Sequence, residues 1–299
     1  MAFDVTSGRD EQLAGDLRTV ARPLENDSDV DALVERIGDA QVVLLGEASH
    51  GTSEYYTWRA RLSKRLISEK GFRFIAVEGD WPDCYCINRF VKGYSGCGDS
   101  ARDVLRAFDR WPTWMWANWE VVALTNWLRR HNEALAHERQ IGFYGLDVYS
   151  LWESLDAVIE HLKENHPQAV ERAMKAVNCF LPFNRDAQTY AWYTRITPED
   201  CEDEVLTLLR EVRSAGVEYP EDPEAHFNAE QNALVVAGAE AYYRAMVQGD
   251  ESSWNIRDTH MADTLIASCS TMGRGRRRSS GNTTRTSGIA ATPTWPSKA

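Results

Sequence analysis

The chain of 299 residues has no long hydrophobic run and no segment typical of a secretion signal. Its apolar stretches fall well short of the roughly 18 residues that identify a membrane helix. The first residues, Met1 to Asp4, have neither the basic nor the apolar region of a signal peptide. We therefore expect a cytoplasmic protein without a membrane partner.

Basic residues are scarce relative to acidic ones, with 33 Lys and Arg against 45 Asp and Glu and a net charge of -12. Nucleic acids and anionic membranes bind basic surfaces, so neither is an expected partner. The hydrophobic content of 43% is sufficient for one large core or two smaller ones. This composition predicts a globular protein.

The cysteines lack the paired spacing of a metal site, because only Cys84 and Cys86 are close in sequence. The six are Cys84, Cys86, Cys97, Cys179, Cys201 and Cys269. Cytoplasmic thiols are normally reduced, so the sequence predicts six free cysteines.

Three short apolar segments, 40–47, 72–78 and 140–147, are typical of buried parallel strands, and each ends in a carboxylate. The three carboxylates are Glu47, Glu78 and Asp147. Ligands of an open α/β sheet bind beyond the carboxyl ends of its strands, so we expect one crevice lined by these side chains. Asp147 alone could instead cap the helix that follows it.

The first of these strands leads directly into a Glu-x-x-His pair, Glu47 and His50. Thr52 or Ser49 can cap a helix over about 53–69, which places both side chains at its N-terminus. The helix dipole there favours the neutral imidazole that a general base needs, and Glu47 can orient the ring. The alternative is a capping histidine beside a solvated glutamate.

Helical periodicity is evident at 53–69, 83–92 and 119–131, and no strand is evident between 151 and 267. The sequence therefore predicts an α/β fold. Its parallel-sheet core has helices on both faces and carries a mainly helical insertion or subdomain.

Four tryptophans cluster between the second and third strands: Trp111, Trp114, Trp116 and Trp119. Their rings could stack on a planar ligand, or they could pack as core or lid residues.

Several motifs occur in an order that resembles the erythromycin esterase family over about 28–266. They are Gly46 to Thr52, Val77 to Trp81, Phe143 to Asp147, and Asn255 to Asp258 followed by Met261 and Ala262. The resemblance implies a hydrolase without metal or other cofactor, in which a histidine activates water against an ester or lactone carbonyl of a small molecule. A macrolide antibiotic is one such substrate, so resistance is an implied role.

On this resemblance, His50 matches the base, Glu47 and Glu78 match its orienting carboxylates, and Arg59 matches an arginine of the first helix. The spacing of Arg59 from His50 neither supports nor excludes a shared site, because His50 precedes the helix. Arg59 could hold a carboxylate or stabilise an oxyanion. It could also be an ordinary solvated arginine.

Four further residues are candidates for substrate binding: Asp147, Trp81, Trp116 and Arg257. Arg257 precedes Asp258 and could instead belong to a structural ion pair. His260 is interpreted as a helix residue without a catalytic role.

The chain departs from the family pattern near its end. The family has a late strand that leads into Trp-x-His-Asn-x-His, whereas this sequence has no histidine after His260. From about Met272 it is rich in Gly, Arg, Ser and Thr without periodicity, so we expect no core strand there. The expected organisation is an N-terminal extension (1–27), an incomplete esterase-like domain (28–270) and a disordered tail (271–299).

The tail is compatible with a shifted reading frame. Taking the last base of each codon with the first two of the next allows 279–286 to encode Val-Val-Trp-Glu-His-Asn-Thr-His. We infer a frameshift between 271 and 278 and expect impaired hydrolysis. Two alternatives remain open: a catalytically dead remnant or binding protein, and a metallohydrolase with Glu47, His50 and Glu78 as metal ligands.

Overall fold

A computed structural model describes residues 8–110, 112–215, 222–248, 252–274 and 288–291. Its strands form one parallel sheet in the order β1-β4-β2-β3. They are β1 (Val42–Leu45), β2 (Phe74–Asp80), β3 (Gly142–Asp147) and β4 (Gly288–Ala291). The three strands expected from apolar runs are confirmed, with bounds shifted by a few residues.

Helices make up most of the remaining described chain. They are α1 (Gly8–Val20), α2 (Asp31–Ile37), α3 (Ser53–Lys70), α4 (Trp81–Lys92), α5 (Ala101–Leu105), α6 (Trp119–Glu133), α7 (Leu151–Asn165), α8 (Pro167–Phe180), α9 (Ala187–Ile196), α10 (Glu202–Ser214), α11 (Ala225–Met246) and α12 (Ser252–Arg274). The predicted helices at 53–69, 83–92 and 119–131 correspond to α3, α4 and α6. Within the described residues, no helix is both long enough and apolar enough to cross a membrane.

Both faces of the sheet are covered because its apolar side chains alternate. Ile75 and Phe143 pack with residues of α3, α4, α5 and α6 on one face. Phe74 and Tyr144 pack on the other face against residues of α4, α11 and α12. The α/β class with helices on both faces is thereby confirmed.

A second apolar core lies among the helices that follow β3. It joins α7, α8, α10 and α11 through buried side chains such as Val158, Leu208 and Val236. No strand occurs between 151 and 267 in the described part of the chain, as the periodicity predicts. This is the expected mainly helical portion.

The prediction of six reduced cysteines is wrong, because Cys179 and Cys201 form a disulfide. Cys179 lies in the last turn of α8, and Cys201 immediately precedes α10. Their sequence separation of 22 gives no pairing signal. Packing of the two helices brings the thiols together, which spacing rules do not anticipate.

The expectation that no strand forms after residue 271 is also wrong. Gly288–Ala291 pairs in parallel with both β1 and β2, with Gly288 opposite Val42 and Phe74. The ladder uses main-chain groups, which every residue except proline supplies in full, so the biased composition does not prevent pairing. The rest of the tail, from 275 to 287 and from 292 onward, lies outside the described residues.

The ends of β2 and β3 approach each other unusually closely. A Cβ atom at Gly145 would lie 2.4 Å from the carbonyl oxygen of Gly79 and 2.6 Å from that of Asp80. The register between β2 and β3 also shifts between Val77 and Asp80. Gly145 therefore allows the two carboxyl ends, and the side chains they carry, to meet at one edge.

Candidate active site

The turn between β1 and α3 brings three of the predicted residues into contact. His50 Nδ1 and Glu47 Oε1 lie 2.6 Å apart, and the other Glu47 oxygen lies 2.6 Å from Arg59 Nη2. Glu47 is 7% exposed, whereas the His50 side chain is 36% exposed. A buried carboxylate thus joins an accessible imidazole to a guanidinium. Thr52 occupies the N-cap position of α3 but makes no capping hydrogen bond with its side chain.

A second group of predicted residues meets beside the carboxyl ends of β2 and β3. Arg257, on α12, donates from Nε to Asp147 Oδ1 at 2.9 Å and from Nη2 to Asp147 Oδ2 at 2.6 Å. The same Nη2 donates to Glu78 Oε1. Asp147 also accepts from the Val148 amide at 2.8 Å, and Ser150 occupies the N-cap position of α7, so Asp147 is not the helix cap that the sequence left open.

The two groups are electrostatically connected. Burial raises the pKa of Glu78 above its ordinary value, although the Arg257 guanidinium and the charge of His50 act in the opposite direction. Glu78 Oε2 is buried and makes no hydrogen bond with the described part of the chain. Glu78 therefore offers an acceptor oxygen near His50.

A cavity of about 390 Å³ opens at His50. Its other walls include Tyr56, Trp114, Asn118 and Glu120. Burial and the adjacent Glu47 carboxylate raise the pKa of Tyr56, so its hydroxyl keeps its proton at neutral pH and can donate a hydrogen bond. The cavity combines aromatic surface with polar groups, as small-molecule sites commonly do.

Trp116 lies directly behind this cavity. Its indole nitrogen donates to the Glu78 carbonyl at 2.7 Å, and its ring meets the Tyr56 ring edge to face at 6.2 Å. It is 7% exposed and lines a small apolar cavity with Arg59 and Phe143. Trp116 thus fixes the backbone that carries Glu78.

Trp81 has a different position from the one expected of a binding residue. It is fully buried, stacks on Tyr144 with ring centroids 5.5 Å apart, and donates to Asn228 at 2.8 Å. The structure therefore gives Trp81 a packing role between the sheet and α11. Of the other tryptophans, Trp119 is exposed outside the His50 cavity and Trp111 lies outside the described residues.

Sequence reasoning missed Tyr56 and Glu120 and left Trp114 unassigned. Tyr56 precedes Arg59 by three residues on α3, and this helical spacing places both on one face. The Arg59 guanidinium lies over the Tyr56 ring at 4.8 Å. Spacing could have identified Tyr56, whereas Glu120 comes from a different helix and carries no such signal.

A sequence profile described as erythromycin esterase matches residues 67–278, well over half of the chain. The chain belongs to the erythromycin esterase family. The matched range contains Glu78, Asp147 and Arg257 and begins after Glu47, His50 and Arg59. The resemblance expected from the motifs is confirmed at the level of the family.

The chain was also compared with individual proteins, and each match covers only part of the other protein. An erythromycin esterase type II from Escherichia coli is 32% identical over 126 residues, which cover 42% of this chain and 28% of that protein. The solved structure of a succinoglycan biosynthesis protein has a TM-score of 0.67 and 22% sequence identity to this chain. The match covers 95% of this chain and 66% of that protein.

Two further solved structures share the fold. A protein from Bacillus cereus has a TM-score of 0.63 and 20% identity, covering 94% of this chain and 65% of its own. A mutant of the erythromycin esterase EreC in its open conformation has a TM-score of 0.57 and 15% identity. This match covers 90% of this chain and 64% of the EreC chain. This chain thus spans about two thirds of the length of these solved structures.

His260 lies close to the Arg257 group and interacts with the main chain of Asp147. It is deeply buried on α12, and burial lowers its pKa to about 4. Its ring packs against Gly238 of α11, where an added Cβ would lie 2.7 Å from Nδ1. This position fits a structural histidine that stays neutral at physiological pH.

Proposed function

We propose that this chain is a hydrolase of the erythromycin esterase type, in which His50 activates water against an ester or lactone carbonyl of a small molecule. The contact between His50 Nδ1 and Glu47 Oε1 carries the proposal. A carboxylate on Nδ1 requires the ring proton there, so the neutral imidazole has its lone pair at Nε2. His50 lines a cavity in which a substrate and the attacking water can meet.

The neighbouring residues supply orientation and charge. Arg59 engages the second oxygen of Glu47 and holds that carboxylate in place. Glu78, whose buried acceptor oxygen lies outside the lining of the His50 cavity, can act on His50 through its charge. Tyr56 forms part of the cavity wall beside His50. Arg257 holds Glu78 and Asp147 in position and acts behind the cavity.

Hydrolysis is proposed to be impaired in this chain because the histidine pair typical of the family's late motif is absent from its sequence. The same absence favours a second candidate, a remnant that binds small esters without turning them over. Loss of the pair removes partners for proton transfer and oxyanion stabilisation, each worth roughly a hundredfold or more in rate.

The engagement of the carboxylates supports a mechanism without a metal. Both oxygens of Glu47 face cationic or donor groups, and Glu78 is held by Arg257. Among the described residues, no group of three or more metal-ligating side chains is arranged to hold an ion. The metallohydrolase alternative is tested by chelation.

The experiment is ester and lactone hydrolysis by the full chain across a substrate panel that includes a macrolide, before and after EDTA treatment. We expect the parent chain to turn over slowly, at a rate that EDTA does not change. His50→Ala should abolish this turnover while leaving the free energy of unfolding of the protein nearly unchanged. His137→Gln, an exposed histidine outside the cavity, is the matched control. Full turnover by His50→Ala would refute the assigned base. Ligand binding without turnover by the parent chain would favour the binding remnant.

A further inference from the structure

The loop after α4 folds back onto that helix, and none of its residues lines the His50 cavity. The Tyr94 amide donates to the Arg89 carbonyl at 2.9 Å. The Arg89 guanidinium donates to the Ser95 carbonyl from Nη2 at 2.8 Å and from Nε at 3.2 Å. These bonds return the chain over α4, so that Cys97 comes back to Cys86, one turn before Arg89.

The Cys86 and Cys97 thiols lie close enough for each to shift the pKa of the other, and the Arg89 guanidinium also acts on Cys97. Both cysteines are free and partly exposed. Cys84, two residues before Cys86, is fully buried in the core instead. The pair therefore combines proximity with access for a small reagent, which Cys84 lacks.

The surroundings distinguish the two thiols. The neighbouring Cys86 thiol lowers the pKa of Cys97, and the positive charge of Arg89 acts in the same direction against partial burial. The neighbouring Cys97 thiol, followed by burial, raises the pKa of Cys86. Cys97 is thus the thiol that ionises first, and thiolates are the reactive form in disulfide exchange.

We propose that Cys86 and Cys97 form a redox-active dithiol site that low-molecular-weight disulfides oxidise. The Cys97 thiolate attacks one sulfur of the small disulfide, forms a mixed disulfide and releases one small thiolate. Cys86 then loses its proton and attacks Cys97 Sγ. This step forms the Cys86–Cys97 bond and releases the second small thiolate. One disulfide is reduced to two thiols while the protein dithiol is oxidised.

The tryptic map of this region makes the test direct. Cleavage after Arg73, Arg89, Lys92 and Arg102 places Cys86 in peptide 74–89 and Cys97 in peptide 93–102. The reduced full chain is incubated with oxidised glutathione, the remaining thiols are alkylated, and the peptides are examined by mass spectrometry. We expect peptides 74–89 and 93–102 to be joined by a disulfide.

Variants separate the partners and their order of reaction. Cys86→Ser should accumulate the glutathione adduct on Cys97. Cys97→Ser should lose the cross-link, and its remaining thiol should react with oxidised glutathione about tenfold more slowly because the low-pKa thiol is gone. Two control variants should retain the cross-link. Cys84→Ala leaves Cys86 as the one cysteine of peptide 74–89, and Cys269→Ser removes a free cysteine on α12.

Two results would overturn the proposal. One is a parent chain in which both thiols become glutathionylated but the two peptides stay separate. The other is a cross-link that survives Cys86→Ser and Cys86→Ala, which would assign the bond to Cys84. Neither outcome depends on ester hydrolysis, so the dithiol site and the proposed function can fail separately.

Discussion

Gly51 sets how closely Trp114 approaches the His50 turn. Gly51 has a φ of 79°, a conformation that side chains rarely adopt, and an added Cβ would lie 2.8 Å from Trp114 Cζ3. Trp114 and His50 both line the same cavity. One glycine therefore determines both the backbone that presents the base and the width of the cavity beside it.

We expect Gly51→Ala to lower the free energy of unfolding by about 1–3 kcal/mol through backbone strain and to reduce hydrolysis because Trp114 must move. Gly71→Ala is the matched control, since Gly71 has a φ of 75° with nothing within 4 Å of an added Cβ. Chemical denaturation and the ester assay measure the two effects. Equal losses of activity in both variants would refute a specific role for the Trp114 contact.

Asp83, in the first turn of α4, gives the protein a pH dependence of stability. Burial and the neighbouring carboxylates Asp80, Asp109 and Glu153 raise the pKa of Asp83 from 3.8 to about 7. The folded state therefore binds more protons than the unfolded state between these values. Stability contributed by the protonated form is full at low pH and declines as pH rises toward 7.

We accordingly expect Asp83→Asn to reduce the decline in the free energy of unfolding between pH 4 and pH 7. The variant should gain stability relative to the parent at pH 8 and gain less at pH 4. Urea denaturation across this range measures both. Parallel stability curves for parent and variant would show that Asp83 titrates normally in the folded protein.

At the scale of elements, the helical portion depends on a connection that periodicity does not reveal. The disulfide joins the end of α8 to the residue before α10, and both helices pack in the same apolar core. Cys201 is further held by its amide, which donates to the Tyr190 hydroxyl of α9 at 3.0 Å. Three consecutive helices thus meet at this point.

The double substitution Cys179→Ala with Cys201→Ala should lower the free energy of unfolding by about 3 kcal/mol, because the unfolded chain gains the freedom of the opened loop. Reducing the parent chain should have an effect of similar size. Cys269→Ala, which removes a free cysteine, should change stability little. Denaturation with and without reductant is the measurement. Identical midpoints would contradict a stabilising disulfide.

For the molecule as a whole, apolar surface is left uncovered at the edge of the sheet. β1 lies at one end of the strand order, with Val42 39% exposed and Leu44 67% exposed. Exposed strand edges and apolar patches favour association between chains. We therefore expect the protein to self-associate through this edge at high concentration.

We expect resequencing of the coding DNA to reveal one base gained or lost before Arg276, with an open frame beyond residue 299. Restoring that frame should raise esterase activity by orders of magnitude and reduce aggregation, measured by the ester assay and light scattering. The late histidines would prove dispensable if the repaired chain were no faster than the present one. A shifted frame that stops at once would exclude a sequencing error.

The sequence by itself determined the three apolar strands, the helix after His50 and the pairing of Glu47 with His50. Each depends on residues that are neighbours in the chain, where periodicity, turns and short spacings dictate geometry. The carboxylates at the strand ends were also predictable, because parallel strands place their ends at one edge. The family resemblance has the same origin, since its motifs lie in these segments.

Only the tertiary structure decided which distant side chains meet. Arg257 holds Glu78 across 179 residues of sequence, and Cys179 pairs with Cys201 between two helices. Trp81 enters the core although it belongs to one of the family motifs. Such contacts depend on how elements pack against one another, and packing is set by the shape of many side chains at once. Local patterns in a single sequence do not contain that information.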